Sequence, residues 1–157
     1  MSVFAVNIAL AFAWAALTAS FTLPSLIVGY ALGYGALWLA QPLYGGSSGY
    51  FGRTWRSIRL AVLFLYELIV SSIVVVWDVL TPEHKSRPQI LEMPLEVESD
   101  FAILLVTNLI SLTPGTLSLD VTPDRRRLIV HAMFADDPEA VIAGLKRFER
   151  WVKEVVE

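Results

Sequence analysis

Few side chains in this sequence have the type and spacing to do chemistry, and they point in different directions. His131, within RLIVHAMF, is the best candidate for a general base, and His84 is the only other histidine. Ser111 and Ser118 lie outside any recognisable nucleophile motif, and the chain contains no cysteine. That absence removes disulfides, thiolate zinc sites, iron–sulfur clusters and a cysteine nucleophile together. There is no phosphate-binding glycine loop and no dinucleotide fingerprint. Glu67 is the one charged residue in the apolar run 60–77, and a carboxylate at membrane depth is a natural holder of a cation or proton. Arg53, Arg56 and Arg59 recur every three residues, while Arg125, Arg126 and Arg127 are consecutive. Clustered guanidinium groups suit phosphate or an anionic lipid headgroup, with a solvated turn as the plainer account of the second cluster.

The elements that must carry these groups live in two solvents. The chain has 157 residues and a net charge of −3, yet its 12 Lys/Arg and 15 Asp/Glu residues all lie at or beyond Arg53. This charge is too small and too acidic for a nucleic-acid partner. No positive residue precedes the first apolar run, which is far longer than a cleavable leader needs, so it reads as a retained membrane anchor. Residues 3–41 are uncharged. A span needs about 20 residues, so two short helices are expected, at about 3–20 and 24–41. Thr22-Leu23-Pro24 forms the break, because proline disfavours helix before itself and suits a first turn. Gly29-x-x-x-Gly33 in the second helix is a small-xxx-small spacing that lets helices approach closely in lipid, and it is a candidate partner contact. Asn7, Thr18, Ser20 and Thr22 are polar but not ionisable, so this hairpin lacks the groups of an ion path.

After a loop at GGSSGY comes a third apolar segment. Arg56, Arg59, Leu63, Glu67, Ser71, Val74 and Asp78 follow each other at spacings of three or four, which gathers most of its polar groups on one helical stripe. The segment is long enough to span. Yet Arg53, Arg56 and Arg59 flank one end and Lys85 and Arg87 the other, and positive charge collects on the cytoplasmic side. An interfacial helix satisfies both ends, with Glu67 on its wet stripe or paired with an arginine; three true spans is the alternative. The expected organisation is therefore 1–52 as two transmembrane helices and a loop, 53–84 as the interfacial or third transmembrane helix, and 85–157 as a cytoplasmic domain.

In that last part, Leu91, Met93, Leu95 and Val97 alternate with Glu92, Pro94, Glu96 and Glu98, the pattern of a half-buried strand. Pro94 assigns it to an edge. Ser99 or Asp100 caps a helix to about Leu112, Thr113-Pro114-Gly115 turns the chain, and 116–121 and 127–134 make a hairpin. Asp137-Pro138 opens a last helix whose Val141, Leu145, Phe148, Val152 and Val155 face the sheet. The order is β-α-β-β-α, a small two-layer α+β domain. Gly115 is placed to supply a backbone angle that other residues resist.

The uncharged hairpin, the Arg-rich third helix with Tyr66-Glu67-Leu68 at its centre, and SLTPGTLSLDV (111–121) followed by LIVHA (128–132) together resemble the E subunit of the Mrp multisubunit Na+/H+ antiporter. The likeness runs over essentially the whole chain, and 111–121 is its most specific part. It implies an accessory, non-conducting subunit of a heteromeric cation/proton antiporter in the cell membrane, with other membrane subunits and lipid as partners. From the residues themselves no enzyme activity, cofactor, metal or nucleic-acid partner is expected. The likeness carries the Thr113-Pro114-Gly115-Thr116 motif over as structural rather than catalytic. A different class of function, a membrane-anchored module that recognises lipid or a signalling partner outside any transporter, is the competing expectation.

Overall fold

The computed structural model describes residues 2–44, 49–82 and 86–156; residues 45–48 of the expected loop, and His84 and Lys85, lie outside the described residues. The chain divides into two compact units, Met1–Trp55 and Arg56–Glu157.

The first unit holds α1 (Val3–Leu17), α2 (Leu23–Ala40), a 3-10 turn (Gln41–Tyr44) and the start of α3 (Gly49–Leu80). Ser2 caps α1, its Oγ accepting from the Ala5 N–H at 3.3 Å. The helix ends earlier than the sequence suggests. Ala19 takes the left-handed conformation at φ 48°, and the Ser20 N–H returns to the Ala15 carbonyl at 2.9 Å, a left-handed C-terminal cap. Thr22 caps α2 with Pro24 in its first turn, as the Thr22-Leu23-Pro24 break predicts. The two helices approach through glycine. A Cβ at Gly29 would lie 2.8 Å from the Trp14 Cβ and 2.9 Å from the Ala11 carbonyl oxygen. The small-xxx-small face is therefore occupied, among the described residues, by α1 of the same chain.

Among the described residues, two helical stretches are long and apolar enough to cross a membrane, Leu23–Leu43 and Gly49–Leu80, while α1 is a shorter apolar helix. At 1.5 Å per residue its 15 residues extend about 22 Å, short of a hydrocarbon core of about 30 Å.

The second unit contains most of α3, then β1 (Gln89–Pro94), α4 (Asp100–Leu112), β2 (Thr116–Val121), β3 (Arg127–Ala132) and α5 (Pro138–Val156). The strands form one antiparallel sheet in the order β1-β3-β2. Alternation decides the buried face: Met93, Leu128 and Val130 are covered by Ala102, Val106 and Ile110 of α4 and Leu145, Phe148 and Val152 of α5, and Leu91 and Ala132 by Val141 and Ile142 of α5. The first strand ends at Pro94 instead of running on to Glu98: the Leu95 N–H still reaches the Arg126 carbonyl at 2.8 Å, but the Glu96 and Val97 N–H groups turn to the Glu149 carboxylate. The hairpin turn places Arg125 at φ 59°, its N–H donating to the Thr122 carbonyl at 2.7 Å.

One buried charge ties α5 to the segment after β1. Glu149 is 2 % exposed. Its Oε1 accepts the Glu96 N–H and, at 3.1 Å, the Val97 N–H, so the carboxylate supplies partners to two backbone donors beyond the end of β1.

Candidate functional site

The motif 111–118 is built entirely around the end of α4. The last carbonyls of a helix have no intrahelical donors and must be satisfied otherwise. Thr113 Oγ1 donates to the Leu109 carbonyl at 2.8 Å. Thr116 Oγ1 reaches the Ile110 carbonyl at 2.7 Å and the Thr113 carbonyl at 3.1 Å. Gly115, at φ +90°, makes the reversal, and a Cβ there would meet the Phe134 ring at 3.3 Å and a Val75 methyl at 3.8 Å. The two serines stitch the next strand to the helix: Ser118 Oγ donates to the Thr107 carbonyl at 3.0 Å, and Ser111 Oγ accepts the Ser118 N–H at 3.1 Å. Every hydroxyl of the motif is thus engaged with backbone. Ser111 also blocks a donor on the outer edge of β2, which protects that edge from pairing with another strand.

His131 lies in the middle sheet strand. It sits on β3 opposite Ile90 on one neighbouring strand and Leu117 on the other, two exposed aliphatic residues, so no carboxylate stands across from it to orient an imidazole. The basic turn is largely neutralised. Arg125 pairs with Asp100 at 2.5 Å and Arg127 with Glu92 at 2.8 Å. Asp124 is held below the usual aspartate range by the Thr122 hydroxyl and then by the Arg126 N–H. The Lys146 ammonium, hydrogen-bonded at 2.5 Å, likewise keeps the Glu96 carboxyl below its ordinary value.

The stripe on α3 has a definite occupant. Leu60, Phe64, Glu67, Ser71 and Val75 are sheltered and Asp78 is buried, at spacings of three and four over about 27 Å of helix. Leu60 and Phe64 pack on the core of the α+β unit. Arg59 pairs with Glu154 at 3.3 Å, and Glu67 with Arg147 at 3.4 Å. Contacts that rise along α3 and fall along α5 mean that the two helices run antiparallel. Arg53 and Arg56 are exposed on the preceding turns. The opposite face presents Ile58, Val62, Leu65, Ile69, Ile73 and Trp77, each more than half exposed.

A second polar cluster, signalled in the sequence only by a lone amide on an otherwise apolar helix, lies in the first unit. Asn7 is fully buried. Its Nδ2 donates to the Tyr50 hydroxyl at 3.0 Å, and that hydroxyl is 2.6 Å from the hydroxyl of Tyr30. Phe4, Tyr34 and Phe51 surround the Tyr50 ring. Among the described residues no group of three or more His, Cys, Asp or Glu side chains could hold a metal.

Residues 7–155 match the family model described as Na+/H+ ion antiporter subunit. The chain is 36 % identical over 152 residues to the E1 subunit of the Na(+)/H(+) antiporter of Staphylococcus haemolyticus, covering 96 % of this chain and 95 % of the relative. It is 34 % identical over 150 residues to the E subunit of the Na(+)/H(+) antiporter of Bacillus subtilis, covering 95 % and 94 %. Among solved structures it is similar to a chain of the Mrp complex from a Dietzia species, with a TM-score of 0.52 and 25 % identity over 65 % of this chain and 96 % of that one. A chain of an archaeal membrane-bound sulfane sulfur reductase shares the fold, with a TM-score of 0.55 and 23 % identity over 97 % of this chain and 99 % of that one. On the strength of a match that runs nearly end to end, this chain belongs to the family of Na+/H+ antiporter E subunits.

Proposed function

We propose that this chain is an accessory, non-conducting member of a multisubunit Na+/H+ antiporter, and that its work is to hold a small α+β module against the cytoplasmic face of larger membrane subunits. One observation carries the non-conducting part. Glu67, the only ionisable acid or base in the apolar stretch of α3, is paired with Arg147 of the chain's own module, and the α1–α2 hairpin contains no ionisable acid or base of the kind an ion path uses.

The same pairing supports an interfacial α3. Helix α5 carries Lys146, Arg147, Arg150, Lys153 and Glu154, too many charges for hydrocarbon. A neighbouring helix that contacts it from Arg59 to Glu67, and sits beside Gly115 at Val75, shares its aqueous boundary. The apolar face of Ile58 to Trp77 then enters the headgroup layer. Arg53, Arg56 and Arg59 at one end and Arg87 beyond the other favour the cytoplasmic side for both ends. In this reading 1–52 anchors, 53–84 lies on the membrane, and 85–157 docks. The Thr113-Pro114-Gly115-Thr116 turn keeps the docking module in shape.

The test is a gentle-detergent pull-down of a tagged chain from its native membrane, with mass spectrometry of what accompanies it. Several large hydrophobic subunits at a fixed ratio are expected. Gly115→Val should lower their recovery and antiport in parallel. Recovery of the chain alone, from membranes where those partners are present, would defeat the reading, as would Na+/H+ exchange by the purified chain alone in liposomes.

A further inference from the structure

The geometry points to Asn7 as a positioning residue: an intramembrane latch that clasps α1, α2 and the first turn of α3 through Gly33, Tyr30 and Tyr50, and so sets where the arginine ladder begins. This rests on the reading of the hairpin as membrane-embedded.

The two ends of the Asn7 amide do different things. The Nδ2 donates to the Tyr50 hydroxyl, which in turn meets the Tyr30 hydroxyl. The Oδ1 is buried and has no hydrogen-bond partner among the described residues. It is pressed instead onto Gly33, too close to the place of a Cβ for one to fit, with the Leu10 Cβ 3.1 Å from that same place. An amide oxygen can lie against a glycine Cα through a weak C–H contact, and no other residue leaves room for it. Gly33 and Asn7 are therefore complementary in shape, and the fit secures the hydrogen bond at the other end of the amide. Gly29 does not share this logic, because its neighbours are the Ala11 backbone and the Trp14 Cβ, which cannot turn aside. Gly35 has nothing near it.

Tyr50 is one helical turn before Arg53. With its ring packed between Phe4, Tyr34 and Phe51 and its hydroxyl held twice, the first turn of α3 has one position against the hairpin. A single buried polar residue setting register is an established use of such groups.

The experiment uses the full chain in its membrane complex and asks whether Asn7 and Gly33 rescue each other. Gly33→Ala displaces the amide and should lower recovery of the intact complex by about threefold, the equilibrium effect of one membrane-buried hydrogen bond. Tyr50→Phe, which keeps the ring and loses the hydroxyl, should cost a similar amount. The double variant Asn7→Ala with Gly33→Ala removes the oxygen that the new methyl would strike, and should recover more complex than Gly33→Ala alone. Gly29→Ala should not be rescued by Asn7→Ala. If the Asn7/Gly33 double variant loses the product of the two single losses, or more, the latch is wrong. Alkaline carbonate extraction of the same membranes separates the two ideas: a chain that washes off in its wild-type form overturns the embedded hairpin, whereas a retained chain without rescue overturns only the latch.

Discussion

The two units of this protein reach a stable arrangement by opposite means. In the hairpin there is no hydrophobic driving force between helices once both are in lipid, so contact depends on how closely backbones can approach. Gly29 and Gly33 supply that approach, and one buried amide adds direction. The α+β unit is organised around a buried side-chain core. Its stability comes from burying Met93, Leu128, Val130, Val106, Ile110 and Val152, and its polar groups serve the ends of elements: Ser99 at the start of α4, Thr113 and Thr116 at its finish, Glu149 beyond β1. Truncation should therefore cost most in the core of the module, and an added methyl most where the hairpin helices meet at glycine.

That contrast can be broken by substitution. The largest effect is expected at Glu149→Ala, which strips two backbone N–H groups of their acceptor and should cost about 3 kcal/mol. Chemical denaturation of the detergent-solubilised chain measures it, and faster hydrogen exchange at Glu96 and Val97 would localise it; Glu149→Gln, which keeps an acceptor oxygen, should lose less. Next comes Gly29→Ala. Overpacking against the Ala11 backbone should cost about 2 kcal/mol, read as a lower melting temperature, while Gly35→Ala should be silent. Equal effects at the two glycines would remove the claim that close approach organises the hairpin.

Smaller effects belong to the surface. Glu67→Gln and Arg147→Gln should each change stability by at most about 1 kcal/mol, and the difference should vanish at high salt, because Arg147 is half exposed and such pairs are screened. A large, salt-independent loss at Glu67 would reopen a role in ion movement. Smallest is the response to acid. Glu96 and Asp124 have folded-state values below their ordinary 4.5 and 3.8, so their stabilisation is complete above that range and is lost as pH falls through the lower folded values. Near-ultraviolet circular dichroism of the solubilised chain should stay flat from neutrality to about 4.5 and decline only below it; a rise in stability on acidification would contradict the assigned partners.

Much of this was legible in the order of residues. The absence of charge before Arg53, the Thr22-Leu23-Pro24 break, the alternation about Met93 and the Asp137-Pro138 helix start are local signals, and local signals survive without knowledge of neighbours. The limits of β1 and α1 were less legible. Period-two alternation continues past Pro94 into Glu98, but after Leu95 the next backbone donors, Glu96 and Val97, are taken by the distant Glu149 carboxylate and not by a neighbouring strand. Helix α1 ends at Leu17 because Ala19 adopts a left-handed cap that alanine does not advertise.

By itself the sequence determined that a charge-free apolar segment precedes a charged α+β module, that cysteine chemistry is ruled out, and that 111–121 is a turn into a strand. Only the tertiary structure decided what the marked residues face. Helical spacing puts Glu67 and Arg59 on one stripe, but whether a stripe meets water, lipid, another protein or Arg147 and Glu154 depends on a helix nearly a hundred residues away. Spacing likewise shows that Gly33 is small, without showing that its missing side chain is replaced by the oxygen of Asn7. Periodicity is a property of one segment, whereas partnership is a property of two, and it exists only once both are folded.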